Sequence, residues 1–397
     1  MINFDQARST ILESVPRVGA MTVALDRSLN RVLAERVVSA VDVPSFDNAA
    51  MDGYAICRSE NTMAGTTLAI TGEVAAGTTS ETALRTGEAI AIMTGAPIPP
   101  GCNAVVQQEW TERVDESHVT VLRSVECGHN IRHRGADIKS GATMFDVGTR
   151  LRAQEIGALA SIGRQYVIVH RPVTVAILTT GNEVVEIGKP LEAGQIYDSN
   201  AHTLSALVRE LGGEPVVIGI GRDDRQHLRA SITRGLQEDV LITTGGVSVG
   251  RYDLVREVLE EMGVVIKFWK VNIKPGMPLL FGKFGEKPVF GLPGNPVSTA
   301  VTYLQFVRPA LRTMMGMKSF SELRMRAKIE HKYAKSDGKR HFVRGIITSE
   351  GGEFRVRSTG PQVSNMLSSL TMANCLIVIP EDVEMVKAGD DVDVELL

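Results

Sequence analysis

Four short stretches between residues 179 and 296 bring glycines and carboxylates together. They are Thr179-Thr180-Gly181-Asn182-Glu183, Gly221-Arg222-Asp223-Asp224, Thr243-Thr244-Gly245-Gly246-Val247-Ser248-Val249-Gly250 with Asp253 just beyond, and Gly291-Leu292-Pro293-Gly294-Asn295-Pro296. Consecutive glycines let the backbone curl until several N–H groups converge, and a following helix adds its positive end, which together make a cradle for a phosphate. A plain glycine turn is the competing account of the third stretch taken alone. Neither the P-loop spacing nor GxGxxG is present, so an ordinary nucleotidase or a dinucleotide enzyme is not indicated. Glu183, Asp223, Asp224 and Asp253 beside such a cradle make electrostatic sense if a hard cation such as Mg²⁺ joins them, and each one alone is equally well a helix cap or turn acid. Lys270, and Lys274 in Ile273-Lys274-Pro275-Gly276-Met277-Pro278, add positive charge that could meet an oxyanion or simply be solvated.

The first half carries a second set: Asp47 and Asp52 within Ser45–Tyr54, Thr94 in Met93-Thr94-Gly95-Ala96-Pro97, and the run Arg132-His133-Arg134-Gly135-Ala136-Asp137. The basic trio could hold an anion, although loop arginines are more often solvated. No histidine pair has ligand spacing, there is no GxSxG, and Cys57, Cys102, Cys127 and Cys375 form no CxxC pair, so zinc chemistry and covalent catalysis have no support.

Elements able to position these groups are legible in the hydrophobic pattern. From about residue 172 to 316, apolar runs (VTVAILTTG, PVVIGIG, DVLITTGG, PVFGLPG) alternate with helical stretches such as Leu204, Leu207, Val208 and Leu211. That texture reads as a parallel sheet covered on both faces, with ligands beyond the carboxyl ends of its strands. Residues 49–139 read as a β-rich insert, and 319–397 as a small β-barrel or sandwich. Residues 1–48 and 140–171 read as a discontinuous, mainly helical domain, with one helix in the first fifteen residues, a second over roughly 21–40 on Leu25, Leu29, Val32 and Leu33, and a third near QEIGALASIG. At 397 residues several domains are expected. A net charge of −3 argues against a nucleic-acid partner. The absence of a signal-like start and of any run of about 18 apolar residues leads to the expectation of a cytoplasmic protein with no membrane partner.

Read together and in order, FDNAAMDGYA, IMTGAPIPPGCNAVV, RGADI, LTTGNE, GQIYDSN, GRDD, TTGGVSVGRYD, IKPGMP and GLPGNPVS resemble the molybdopterin molybdenumtransferase family, which includes the E domain of gephyrin. The resemblance implies a four-domain homodimer whose α/β domain is related to molybdopterin adenylyltransferases, with a C-terminal β-barrel and an active site shared between the α/β domain of one subunit and the insert of the other. The activity implied is insertion of molybdate into adenylylated molybdopterin, with Mg²⁺-dependent cleavage of the adenylate and release of AMP. By motif position Asp52, Thr94, Asp137, Glu183 and Asp253 are the implied catalytic residues. Thr180, Gly181, Ser199, Gly245, Gly246, Ser248, Gly250, Lys270, Lys274, Pro293, Gly294, Asn295 and Pro296 are expected to bind substrate or phosphate, and Glu183, Asp223, Asp224 and Asp253 to hold the metal. Asn182, where relatives often have an acid, and Met277, where many have a second lysine, depart from the pattern. They leave tungstate open as an alternative to molybdate, as the resemblance leaves open other enzymes of the same synthesis as partners. An adenylyltransferase-like enzyme and a non-catalytic gephyrin-like scaffold are the competing functions.

Overall fold

The structure, a computed structural model, describes residues 1–59, 62–79, 81, 83–246, 254–318 and 324–397. The chain divides into two compact units: residues 1–34, 147–152 and 167–397 form one, and residues 35–146 and 153–166 the other.

The centre of the first unit is a six-stranded sheet in the order Glu214–Gly221, Thr174–Thr180, Val240–Thr244, Lys287–Leu292, Leu280–Phe284, Val265–Trp269. The first four strands run parallel, as the sequence pattern predicts. The last two are antiparallel additions that the pattern did not disclose. They are short, and the Leu280–Phe284 and Lys287–Leu292 strands are joined by only Gly285 and Glu286, a connection open to antiparallel neighbours and not to parallel ones. Alternate side chains of the three inner parallel strands enter opposite cores. Val175, Ile177, Val240, Ile242, Phe290 and Leu292 meet Leu204, Val208, Val297 and Val301 on one face. Ala176, Leu178, Leu241 and Val289 meet Leu228, Ile232, Val255, Val258 and Leu259 on the other. Burial on both faces is why these strands are almost continuously apolar.

The helix Phe4–Ser14 forms as expected, with the Asn3 side chain accepting from the Gln6 N–H at 2.7 Å and Phe4, Ala7 and Ile11 buried. The expected second helix does not. Residues Ala20–Ala24 form a strand, Leu25–Arg27 a single 3₁₀ turn, and Val32 and Leu33 make isolated bridges to Arg150 and Val169. Two observations explain the miss: Asn30 has φ +64°, and Leu29 of the supposed stripe is 55% exposed while the consecutive Val32 and Leu33 are both buried. An extended chain buried on both sides mimics helical spacing over so short a stretch.

Five strands, Arg324–Ile329, Arg340–Glu350, Glu353–Ser358, Cys375–Ile379 and Asp391–Leu396, close on themselves into a barrel, because Arg340–Glu350 pairs with both Glu353–Ser358 and Cys375–Ile379. Ala327, Ile329, Val343, Val356, Ile377 and Val394 fill it. The second unit is built on a six-stranded sheet ordered Ala104–Gln107, Gly53–Ile56, Glu88–Ile92, Thr67–Val74, His118–Val121, Thr111–Arg113, matching the expected β-rich texture. The helix Ala153–Ser161 also belongs to that unit.

At the amino edge of the α/β sheet, the Asp239 carboxylate accepts from Arg171 at 2.5 and 2.7 Å and from the Thr174 N–H at 2.9 Å. Burial alone would raise this carboxyl, but the Arg171 and Thr174 hydrogen bonds outweigh it and hold the group below its usual range. Its contribution to stability is therefore present above about pH 4 and is lost as pH falls through the lowered folded value. Asp239→Asn is expected to reduce unfolding free energy by about 1–2 kcal/mol at pH 7, discounted for the partly exposed guanidinium. In urea titrations the gap between the two proteins should shrink as the pH is taken below about 4.

Candidate active site

The carboxyl edge of the parallel strands gathers most of the residues singled out between residues 179 and 296. Strand Thr174–Thr180 runs into Gly181, which has φ +138° and lies under the Glu183 carboxylate; a Cβ there would meet that carboxylate at 2.6 Å. The Thr180 hydroxyl donates to the Thr244 carbonyl at 3.1 Å. Gly245 follows with φ +84°, and a Cβ on it would sit 2.5 Å from the Thr180 carbonyl oxygen. Only glycine fits there, in both conformation and space. Gly294 approaches the Gly245 Cα, at 3.5 Å from its would-be Cβ, and its carbonyl accepts from the Asn200 side chain at 2.7 Å. Ser199 opens the helix Ser199–Glu210, capped by Asp198 through the Ala201 N–H at 3.0 Å. Pro296 is the first residue of the helix Pro296–Thr302, with the Pro293 carbonyl taken by the Thr299 hydroxyl. Three buried oxygens at this edge, Thr179 Oγ1, Thr244 Oγ1 and Asn200 Oδ1, find no partner among the described residues. Such atoms are rare in a native fold and mark a site where an additional polar group has a place. Thr179 and Thr244 stand in the glycine-rich stretches and Asn200 closes the GQIYDSN motif, but none of the three is given a role by the sequence alone.

The acids divide. Asp224 caps the helix Arg225–Gly235, accepting from the His227 N–H at 2.7 Å, which is the alternative open at the outset. The Asp223 N–H is held by the Asn182 side chain at 3.2 Å, so this amide ties two loops of the edge together. Among the described residues no three His, Cys, Asp or Glu side chains converge as a metal cluster. Ser248, Gly250 and Asp253 lie outside the described residues. Lys270 has φ +79° and places its ammonium 4.0 Å above the Trp269 ring, at the same end of the sheet as Leu292. Lys274 is drawn toward the barrel instead, with Nζ 3.6 Å from an Asp337 oxygen.

In the second unit, three separated motifs come together. The Asp52 carboxylate accepts from the Thr94 N–H at 2.6 Å; that N–H and the Thr94 hydroxyl hold its carboxyl below the usual range. Gly53 cannot carry a side chain, since its Cβ would lie 2.0 Å from the Val106 carbonyl. Residues Asn48–Ala49 pair with Ile131–Arg132, and Asn48 bridges Pro97. The expected basic trio is largely engaged: His133 meets Asp47 at 3.0 Å and Arg134 meets Asp42 at 2.6 Å. Asp137 is exposed, its backbone fixed to Val43.

Comparison with known proteins divides the chain into three regions. Residues 2–163 match the MoeA N-terminal region (domain I and II), 176–313 a probable molybdopterin binding domain, and 326–397 the MoeA C-terminal region (domain IV). The molybdopterin molybdenumtransferase of Haemophilus influenzae is 38% identical over 100% of this chain and 98% of its own length. The chain belongs to the molybdopterin molybdenumtransferase family. The Bacillus subtilis protein of that name is 32% identical over 94% of this chain and 89% of its own. The crystal structure of the molybdopterin biosynthesis moeA protein from Pyrococcus horikoshii OT3 superposes with a TM-score of 0.84 at 33% identity, covering 100% of both chains. Asp52, Thr94 and Asp137 thus fall in the first family region, and the glycine-rich sheet edge falls in the molybdopterin-binding region. Gly245→Ala is expected to lower thermal stability by several degrees, corresponding to about 1–3 kcal/mol of backbone strain, and hydrogen exchange should increase at residues 180–183 and 243–246.

Proposed function

We propose that this chain transfers molybdenum to molybdopterin: it takes adenylylated molybdopterin and molybdate, cleaves the adenylate, and releases AMP and molybdenum cofactor. The observation that carries this reading is the glycine-lined sheet edge with Glu183 folded over Gly181, in a chain similar along its whole length to proteins of that name. Full-length similarity favours it over a one-domain adenylyltransferase, and the assembled Asp52–Thr94 and Glu183 clusters favour an enzyme over a scaffold.

Both reactants are anionic, so their approach needs N–H donors and cations already in place. The backbone at Gly181, Gly245, Gly246 and Gly294 would receive the phosphates, and Ser199, Ser248 and Gly250 belong to the same binding set. Glu183 would accept a proton from the water that attacks the adenylate phosphorus, while the pterin phosphate leaves. Asp253 would share that work, and Asp52 and Asp137 would orient the substrate from the insert. The oxygen donors Glu183 and Asp223 suit a hard cation but form no all-protein cage. That fits Mg²⁺, which usually arrives with substrate phosphates and retains water. When bound it would neutralise the phosphate charge. A cytoplasmic homodimer using molybdate is part of the same proposal, and so is the four-domain division at residues 48/49, 139/140, 171/172 and 318/319.

Glu183→Ala should abolish AMP release from adenylylated molybdopterin, followed by chromatography, while leaving the melting temperature unchanged. Full AMP release by that variant would overturn the assignment. Sedimentation should give about twice the 42.9 kDa chain mass, and a monomer would overturn the dimer.

A further inference from the structure

The barrel contains a relay of three polar side chains that neither the fold nor the sheet edge requires. His341 is 3% exposed, in the strand Arg340–Glu350. Its Nδ1 lies 2.8 Å from the Tyr333 hydroxyl and its Nε2 2.8 Å from Asp337 Oδ1. A carboxylate only accepts, so Nε2 carries the proton; in the neutral ring Nδ1 then accepts from Tyr333. The other Asp337 oxygen faces Lys274 Nζ at 3.6 Å. The backbone enforces this meeting, because Ile273–Lys274 pairs in parallel with the barrel strand and Lys274 stands opposite His341. The nearby Lys335 ammonium is occupied elsewhere, donating to the carbonyls of Lys339 and Glu381 at 2.7 and 3.0 Å. Burial would raise the Asp337 carboxyl, but the His341 hydrogen bond, with smaller help from the Lys339 N–H and Lys274, holds it below the usual range, so it is ionised at neutral pH.

The contrast between the two ends of this chain is informative. Asp337 is fixed by a buried histidine, whereas the Lys274 side chain is 58% exposed and its ion-pair contact is long. A fixed anion beside a loosely held cation is an exchangeable pair: another anion can draw the ammonium away without disturbing the barrel. We propose that Asp337 is the resting counter-ion of Lys274, exchanged for a small oxyanion when one binds, and thereby a positioning residue that weakens and tunes anion affinity. The inference rests on the reading of Lys274 as an oxyanion-binding residue of a molybdenumtransferase. From its neighbours in sequence Lys274 could meet an oxyanion or simply be solvated. Here the barrel supplies a competing charge.

The test is molybdate binding to the full chain, followed by equilibrium dialysis with metal analysis, beside the KM for molybdate in AMP-coupled turnover. Asp337→Asn keeps an acceptor for His341 and removes the charge. It should bind molybdate several-fold more tightly and lower KM by a similar factor. Asp337→Ser repeats the measurement if the asparagine variant folds poorly. In a Lys274→Met background the same Asp337 replacement should change nothing, because there is no ammonium left to release. A merely structural role for Asp337 would move stability and not produce this dependence on Lys274. Unchanged or weaker binding by Asp337→Asn, or an equal gain with Lys274 replaced, would overturn the inference alone. Failure of the unaltered chain to bind molybdate at all would overturn the substrate reading with it.

Discussion

Two backbone segments at the head of the α/β sheet approach so closely that the side chain between them must be a hydrogen atom. The Thr180 carbonyl and Gly245 are neighbours because their strands pair in parallel with Thr179 opposite Thr244. That pairing holds because each strand is packed from both faces by two separate apolar cores. Loosening either core would move the strand ends relative to each other, and the loops of the edge would lose their spacing. Gly294, seated against Gly245 and held by Asn200, extends the same constraint to a third strand end. The chemistry of the edge is thus a by-product of core packing several residues below it.

How much of this was legible in the sequence varied with how local the signal was. Strands buried on both faces announce themselves by composition, so the three inner parallel strands could be read directly, and the apolar run of the fourth placed it beside them. Two antiparallel strands at the sheet edge could not, since the short run Val265–Trp269 and the turn after Phe284 carry no sign of which sheet they join. Residues 21–40 misled because periodicity counts apolar positions without knowing what lies on each side of the chain. The site followed the same rule. Glycine-rich loops were recognisable, but the fate of a charged side chain depends on its partner. Asp224 turned inward to cap its own helix and Lys274 turned toward Asp337, and neither choice is written in the neighbouring residues.

The charged residues singled out in the two units are held in different ways. Glu183 lies over a glycine, Asp52 is restrained by Thr94, and Lys270 rests on the face of Trp269. Cations held by aromatic rings or by single long contacts keep most of their field available. Carboxylates tied by backbone N–H groups stay ionised and fixed in direction.

The N-terminal helix makes the fold demanding for the cell that produces it. Phe4 packs against Phe306 and Phe342, with ring centroids at 5.2 and 5.5 Å, so its partners are synthesised more than three hundred residues later. At about 5–20 residues per second, the ribosome would leave that apolar face without its native cover for roughly 17–70 s. In the meantime the second unit, which needs only residues 35–166, can finish folding on the nascent chain. The first unit is therefore the late partner during synthesis, because the Phe4 face waits for Phe306 and Phe342.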